Sequence, residues 1–184
     1  RMSYQLLGVS RDAKTVKGER IGYLTGILYL APADVAGPTV CPRATDGCKA
    51  SCLFTAGRGG FIPSVNAGRV RKTRWWHEDR AGFMAALSAD VARLERQARR
   101  AGLIPLVRLN GTSDIRWERT GIIQAFPSVG FYDYTKLPAR VRALDLPNYR
   151  LTYSVSERLD SWVEAGEYLL ASHNAAMALR SPAL

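Results

Sequence analysis

Three cysteines lie within one stretch of 12 residues, and they are the only thiols of the 184-residue chain. Cys41, Cys48 and Cys52 follow a C-x6-C-x3-C spacing in the segment "VCPRATDGCKASCLFTAGRGG", residues 40–60. A disulfide is disfavoured because a reducing cytoplasm is the expected compartment, and because one pair would leave a thiol over. Clustered thiolates are the ligands that a soft metal centre prefers. The sequence therefore predicts that Cys41, Cys48 and Cys52 bind a metal.

Two kinds of metal centre fit this loop. A four-iron–four-sulfur cluster held by three thiolates keeps one iron free of protein ligands, and S-adenosylmethionine is a small molecule that such an iron binds. Structural zinc prefers four ligands, and the fourth would be His77, which follows Cys52 by 25 residues. Metal-free structural thiols are a third interpretation. Residue types and spacing leave these alternatives open.

The elements around the loop predict a parallel sheet. "IGYLTGILYLAPA", residues 21–33, is typical of a buried strand, and the cysteine loop follows it directly. Further strands are predicted in "LIPLVRLNGTSD", "VGFYDYTK" and "NYRLTYSVSE". Residues 64–101 are predicted to form a helix in two pieces, and "LPARVRALDLP" is predicted to form a short helix or turn. Residues 159–178 are predicted to be mostly helical, with a strand at "EYLLAS" as an alternative. Alternating strands and helices predict one α/β domain, residues 1–184, with the cysteine loop at residues 41–60 and crossover helices between parallel strands.

Polar clusters follow three of these strands, where a parallel sheet collects its functional groups. We expect Asp133 to be catalytic, since a carboxylate on an inward strand face is costly unless it is paired or used, and Lys136 or Arg108 is its expected partner. Asp114, in the polar turn after the second strand, is also expected to be catalytic, and the alternative is that Ser113 or Asp114 caps the next helix. A site for a nucleotide base or S-adenosylmethionine is predicted from the polar side chains at these strand ends, namely Arg108, Asn110, Thr112, Ser113, Lys136, Ser156 and Glu157.

The charge is strongly one-sided, with 26 Lys and Arg against 16 Asp and Glu, a net charge of +10. Such a balance is typical of proteins that bind polyanions. Four basic residues, Arg69, Arg71, Lys72 and Arg74, precede a pair of tryptophans, a pattern that suits phosphate contacts and base stacking. The alternative is an amphipathic helix with a solvated basic face. No apolar run approaches the roughly 20 residues of a membrane span, and the N-terminal residues are too polar for a secretory signal.

These segments together resemble the phage gene product 88 domain family over about residues 14–157. The resemblance rests on "GYLTGILYLAPAD", "CPRATDGCKASCLFTAGRGG", "GRVRKTRWWHEDRAGF", "RLNGTSDIRWE" and "FYDYTK". It implies a phage protein in the cytoplasm of a host bacterium, but the family is largely uncharacterised and implies no activity. The cysteine loop also resembles that of radical S-adenosylmethionine enzymes, whose spacing is most often C-x3-C-x2-C. That likeness implies a partial (β/α) barrel, incomplete here because residues 159–184 depart from the family pattern.

The sequence therefore predicts a phage-encoded iron–sulfur protein, resembling a radical enzyme, that modifies nucleic acid or a nucleotide. One alternative is a zinc-containing base-exchange enzyme, in which an aspartate attacks the glycosidic carbon. The other is a non-enzymatic nucleic-acid-binding protein whose metal only staples the loop. No membrane partner is expected.

Overall fold

A six-stranded sheet forms the centre of the computed structural model, which describes residues 5–10, 13–52, 54, 62–171 and 173–177. The strands lie side by side in sequence order, β1 antiparallel to β2 and every later pair parallel. They are β1 (Leu7–Val9), β2 (Tyr23–Leu28), β3 (Ile104–Arg108), β4 (Gly130–Thr135), β5 (Tyr149–Val155) and β6 (Ala175–Met177). The predicted parallel sheet is confirmed. The described strands form an open sheet with β1 and β6 at its edges, and not a closed barrel.

Helices connect most of the strands. They are α1 (Ala13–Glu19), α2 (Asp46–Ala50), α3 (Pro63–Glu78), α4 (Arg80–Ala101), α5 (Pro138–Ala143) and α6 (Leu159–Leu170), with a 3₁₀ turn at Trp117–Arg119. The long helical segment is in two pieces, as predicted, because the chain turns at Asp79. The carboxylate of Asp79 accepts the N–H of Gly82 at 2.8 Å and so caps α4. Gly102 ends α4 in the left-handed conformation, with φ 67°.

Helices α4, α5 and α6 cover one face of the sheet, and the core lies between them and the strands. A stripe of apolar residues along α4 is buried there, namely Phe83, Leu87, Val91, Leu94 and Ala98. A Cβ on Gly26 of β2 would lie 2.6 Å from Cδ1 of Leu94, so α4 lies directly against the strand. On β5, the hydroxyl of Tyr149 meets Arg140 of α5, and that of Tyr153 meets Glu164 of α6.

The other face is covered differently. Helix α1 packs against β2 there, since a Cβ on Gly18 would lie 3.7 Å from Oγ1 of Thr25. Along β3, β4 and β5, every residue that points to this side is half-buried or exposed. We call these residues the open sheet face: Ile104, Leu106, Arg108, Gly130, Tyr132, Tyr134, Arg150, Thr152 and Ser154.

Several boundaries differ from the sequence-based expectation. The strand proposed at "EYLLAS" is wrong, because Ser161, Ala165 and Tyr168 are buried at helical spacing and α6 continues to Leu170. The chain forms β6 soon afterwards, within a segment expected to be helical. The short elements β1, α1 and α2 were not predicted either. No helix in the described ranges is long and apolar enough to cross a membrane.

Candidate functional site

A cavity of about 610 Å³ opens at the carboxyl ends of β2, β3, β4 and β5. All three cysteines lie along it, on the segment that follows β2. Its opposite wall contains the predicted ligand residues and one of the two predicted catalytic carboxylates, namely Arg108, Asn110, Thr112, Ser113, Asp114, Lys136, Ser156 and Glu157. The structure therefore brings the cysteine loop and three strand ends together, whereas Asp133 is not part of the lining.

The side chain of Asn110 organises the loop that follows β3. Its Oδ1 accepts hydrogen bonds from the hydroxyl of Ser113 at 2.9 Å, the indole N–H of Trp117 at 2.9 Å and the backbone N–H of Ile115 at 3.0 Å. Its amide group donates to the carbonyl of Ile115. Buried polar groups require such partners. Asn110 therefore shapes the cavity wall, and its polar atoms are already engaged by the protein.

The same loop is joined closely to the chain that leads into the cysteines. The N–H of Gly111 donates to the carbonyl of Leu28 at 3.0 Å, and the Cys41 thiol donates to the carbonyl of Thr112 at 3.6 Å. A Cβ on Gly111 would lie 2.6 Å from the Tyr29 ring and 2.7 Å from the Leu28 carbonyl oxygen. Only glycine fits this contact without displacing its neighbours.

Glu157, directly after β5, holds the helix that carries Cys48. Thr45 caps α2 by accepting the N–H of Cys48 at 3.1 Å. The Glu157 carboxylate accepts the Thr45 hydroxyl at 2.8 Å and the N–H of Gly47 at 3.2 Å, and a Cβ on Gly47 would lie 2.6 Å from its Cδ. We call this arrangement the Glu157 clamp. It fastens the cysteine segment to the end of a strand on the far side of the cavity.

The three cysteines are half-buried, and none of them forms a disulfide. Burial raises the pKa of Cys41 to about 11. Burial also raises the pKa of Cys48, while the nearby ammonium of Lys136 opposes that shift. Both thiols are therefore neutral at pH 7 in the absence of a metal.

No metal site is preformed among the residues that the structure describes. In these ranges, no three or more His, Cys, Asp or Glu side chains are arranged so that they could hold a metal ion. His77 is thus not gathered with the cysteines as a zinc ligand, and its buried Nε2 has no hydrogen-bond partner among the described residues. Metal binding stays a prediction, and it requires the cysteine segment to adjust.

Asp114 lines the cavity, but its carboxylate is paired within the protein. Arg140 of α5 contacts its Oδ1 at 2.6 Å, and the backbone N–H of Lys136 donates to its Oδ2 at 2.9 Å. The same guanidinium pairs with Glu118 at 2.8 Å. Burial raises the pKa of Asp114, and Arg140 opposes this shift. Asp114 does not cap a helix as the alternative expected. Arg140, which sequence reasoning missed, joins the loop after β3 to α5.

Asp133 is only 1% exposed and lies behind the cavity wall. Its hydrogen-bond partners are the backbone N–H of Asn110 at 2.6 Å and the hydroxyl of Tyr149 at 3.0 Å. Of the two expected partners, Arg108 acts on this carboxyl through its charge, which opposes the rise of its pKa. The Lys136 ammonium instead donates to carbonyls at the end of β5. Burial raises the pKa of Asp133 to about 7, although the Asn110 N–H opposes this shift. Asp133 therefore ties β3, β4 and β5 together at their carboxyl ends.

The basic segment of α3 does not present one continuous patch. Arg69 is 8% exposed, and its guanidinium lies over the ring of Tyr29 at 4.9 Å. The ammonium of Lys72 donates to a backbone carbonyl next to β1 at 3.1 Å. Arg71 and Arg74 are exposed. Two of the four predicted nucleic-acid contacts are thus engaged inside the fold, and two remain at the surface.

Tyr134 of β4 is a cavity residue to which sequence analysis assigned no function. Its side chain is 38% exposed, and the guanidinium of Arg108 lies over its ring at 4.7 Å. The alternation of side chains along a strand is the sequence signal that identifies Tyr134, because residues 132 and 134 must face away from Asp133 and the core.

The chain was compared with protein families, curated proteins and solved structures. The sequence model of the gene product 88 family matches residues 5–182. Neither a curated protein nor a solved structure matches.

Proposed function

The chain belongs to the gene product 88 family, and we propose that it is an iron–sulfur protein that modifies nucleic acid or a nucleotide in the cavity. One observation carries this proposal: all three cysteines of the chain line the same cavity as the polar ends of three parallel strands. Ligands of α/β proteins bind outside the carboxyl ends of such strands. The parallel order of β2 to β6, with α4, α5 and α6 on one face, is also what a segment of a (β/α) barrel would have, and it supports the proposed likeness to radical enzymes.

The donor set suits a soft metal. Three thiols, without a fourth ligand in place among the described residues, favour a cluster with one open iron over structural zinc, which prefers four protein ligands. When bound, such a cluster supplies one-electron chemistry to a small molecule such as S-adenosylmethionine. Because the part of the chain that the structure describes contains no preformed ligand group, we propose that residues 41–52 close around the metal and that the thiols release their protons as they bind.

The remaining cavity residues have separate roles in this proposal. Lys136 opposes the rise that burial causes in the pKa of Cys48, and it would place positive charge beside the thiolate that forms when this thiol binds the metal. Arg108 and Lys136 provide the charge for a phosphate, and Ser154 and Ser156 the hydroxyls for a polar ligand. Asp114 and Asp133 act as positioning residues, because both already accept hydrogen bonds from the protein.

Metal analysis of protein purified without oxygen tests the proposal. We expect about four iron atoms and as many acid-labile sulfides per chain, with broad visible absorbance. Each of the variants Cys41→Ser, Cys48→Ser and Cys52→Ser should lose iron, whereas the matched variant His77→Ala should keep it.

Two results would contradict this expectation. Colourless protein with one zinc that His77→Ala releases would favour the zinc-containing base-exchange alternative. Protein that holds no metal after purification and reconstitution would rule out the iron–sulfur proposal and both alternatives, since each of them requires a metal, and would leave the cysteines as metal-free structural thiols.

A further inference from the structure

The open sheet face is unusual for a parallel sheet, because such sheets are normally covered on both sides. Of the described helices, those that pack on β3, β4 and β5 lie on the opposite side, and α1 packs on β2. Tyr134 is 38% exposed and Ile104 is 54% exposed. Within the described ranges this face is only partly covered, and exposed aromatic and aliphatic side chains of this kind mark a surface that binds another molecule.

The chemistry of this face indicates which molecule it binds. Its nine residues include two arginines and two tyrosines, and no aspartate or glutamate. On neighbouring strands, Tyr132 is in register with Arg150, and Tyr134 with Thr152. Tyr132 and Tyr134 are about 6.6 Å apart along β4, at the rise of a strand, so each ring can stack on a separate base. Alternating rings and guanidinium groups are what single-stranded nucleic acid requires from a binding surface.

The face leads into the cavity. Arg150 and Tyr132 lie towards the middle of the sheet, whereas Arg108, Tyr134 and Ser154 lie at the carboxyl edge and line the cavity. The Arg108 guanidinium is held there by hydrogen bonds to the carbonyls of Asn110 and Gly111, and it lies over the Tyr134 ring.

We infer that the open sheet face binds a single strand of nucleic acid and directs one nucleotide into the cavity. Bases stack on Tyr132 and Tyr134, and the phosphates contact Arg108 and Arg150. This inference rests on the proposed function and narrows its substrate from nucleic acid or nucleotide to a single strand. It also moves the nucleic-acid contacts from α3 to the sheet.

Fluorescence anisotropy with a labelled oligonucleotide of about 12 residues tests the inference, with the duplex of the same sequence and a mononucleotide as competitors. We expect the single strand to bind at least about ten times more tightly than either competitor. Tyr134→Ala should weaken binding by roughly 5- to 150-fold, the range for loss of one stacked base. Tyr134→Phe keeps the ring and should stay within about twofold of the parent protein. Arg150→Ala should reduce the slope of log affinity against log salt by about 1.

Matched controls lie on the other side of the molecule. Trp162→Ala removes a ring that is 51% exposed on α6, and Arg100→Ala removes an exposed charge from α4. Both should leave affinity and salt slope unchanged. If Tyr134→Ala behaves as Trp162→Ala does, or if duplex or mononucleotide competes equally well, the inference is wrong.

Failure of this inference can be separated from failure of the proposed function. Binding is measured with and without metal, and the iron content of Tyr134→Ala is determined in parallel. If the protein retains iron but its affinity for the oligonucleotide does not depend on Tyr134, only the inference about the open sheet face is wrong. If its affinity depends on Tyr134 but it never takes up metal, the iron–sulfur proposal is wrong and the inference about the open sheet face stands.

Discussion

Replacing Asp133 by asparagine tests whether this carboxyl is protonated in the folded protein. Burial raises the pKa of Asp133 from 3.8 to about 7. Between these values the folded state binds a proton that the unfolded state has released, so the stability associated with Asp133 is greatest below pH 4 and falls as the pH rises to 7. Three pH units at 1.36 kcal/mol each amount to about 4 kcal/mol in all, of which about 3 kcal/mol is lost between pH 5 and pH 8.

Asparagine keeps the contacts of the neutral carboxyl. Its Oδ1 can still accept the N–H of Asn110, and its amide group can donate to the Tyr149 hydroxyl oxygen. We therefore expect Asp133→Asn to gain about 3 kcal/mol over the parent protein as the pH rises from 5 to 8. Urea unfolding, followed by tryptophan fluorescence at several pH values, measures the difference. Other carboxyls titrate alike in both proteins and cancel.

Asp145→Asn, which changes an exposed carboxylate, is the matched control and should leave the pH dependence of stability as it is in the parent protein. A difference between Asp133→Asn and the parent protein that stays constant from pH 5 to pH 8 would refute a protonated Asp133. So would a strong loss of stability at pH 8.

Two further substitutions address the loop after β3. Gly111→Ala should lower the free energy of unfolding by about 1–3 kcal/mol, because its Cβ would lie 2.7 Å from the carbonyl oxygen of Leu28. Chemical denaturation measures this loss, and an unchanged unfolding midpoint would contradict the close contact. Arg140→Met should cost about 3–5 kcal/mol, because it leaves the buried carboxylate of Asp114 without its cation, and the double variant with Asp114→Asn should recover part of that loss in the same assay.

The central strands could be predicted because their composition is decisive on its own. Residues 21–33 and 149–155 are rich in β-branched, aromatic and aliphatic side chains, and the structure has β2 and β5 there. The end of β2 could not be predicted. The strand stops at Leu28, because the N–H of Ala31 donates to the hydroxyl of Thr73 and the Leu30 carbonyl accepts the hydroxyl of Thr112. Both partners are distant in sequence.

The shared cavity could also be predicted, because the carboxyl ends of parallel strands meet at one edge. The sequence does not predict which polar side chains form contacts within the protein. Nothing in the sequence around Arg69 distinguishes it from a solvent-exposed arginine. Its guanidinium nevertheless lies over the ring of Tyr29, 40 residues earlier in the chain. Likewise, the residues near Asp114 in sequence do not predict its ion pair with Arg140. Pairing of this kind depends on tertiary packing rather than on local composition.

The Glu157 clamp makes the two walls of the cavity energetically dependent on each other. A ligand that orders the end of β5 also restricts Thr45 and Gly47, and with them the segment that carries Cys48. Linkage of this kind is reciprocal, so if the proposed metal and substrate both bind, the factor by which one raises the affinity for the other holds in both directions. With such positive coupling, the protein would retain its metal best while substrate is bound and release it most readily when the cavity is empty.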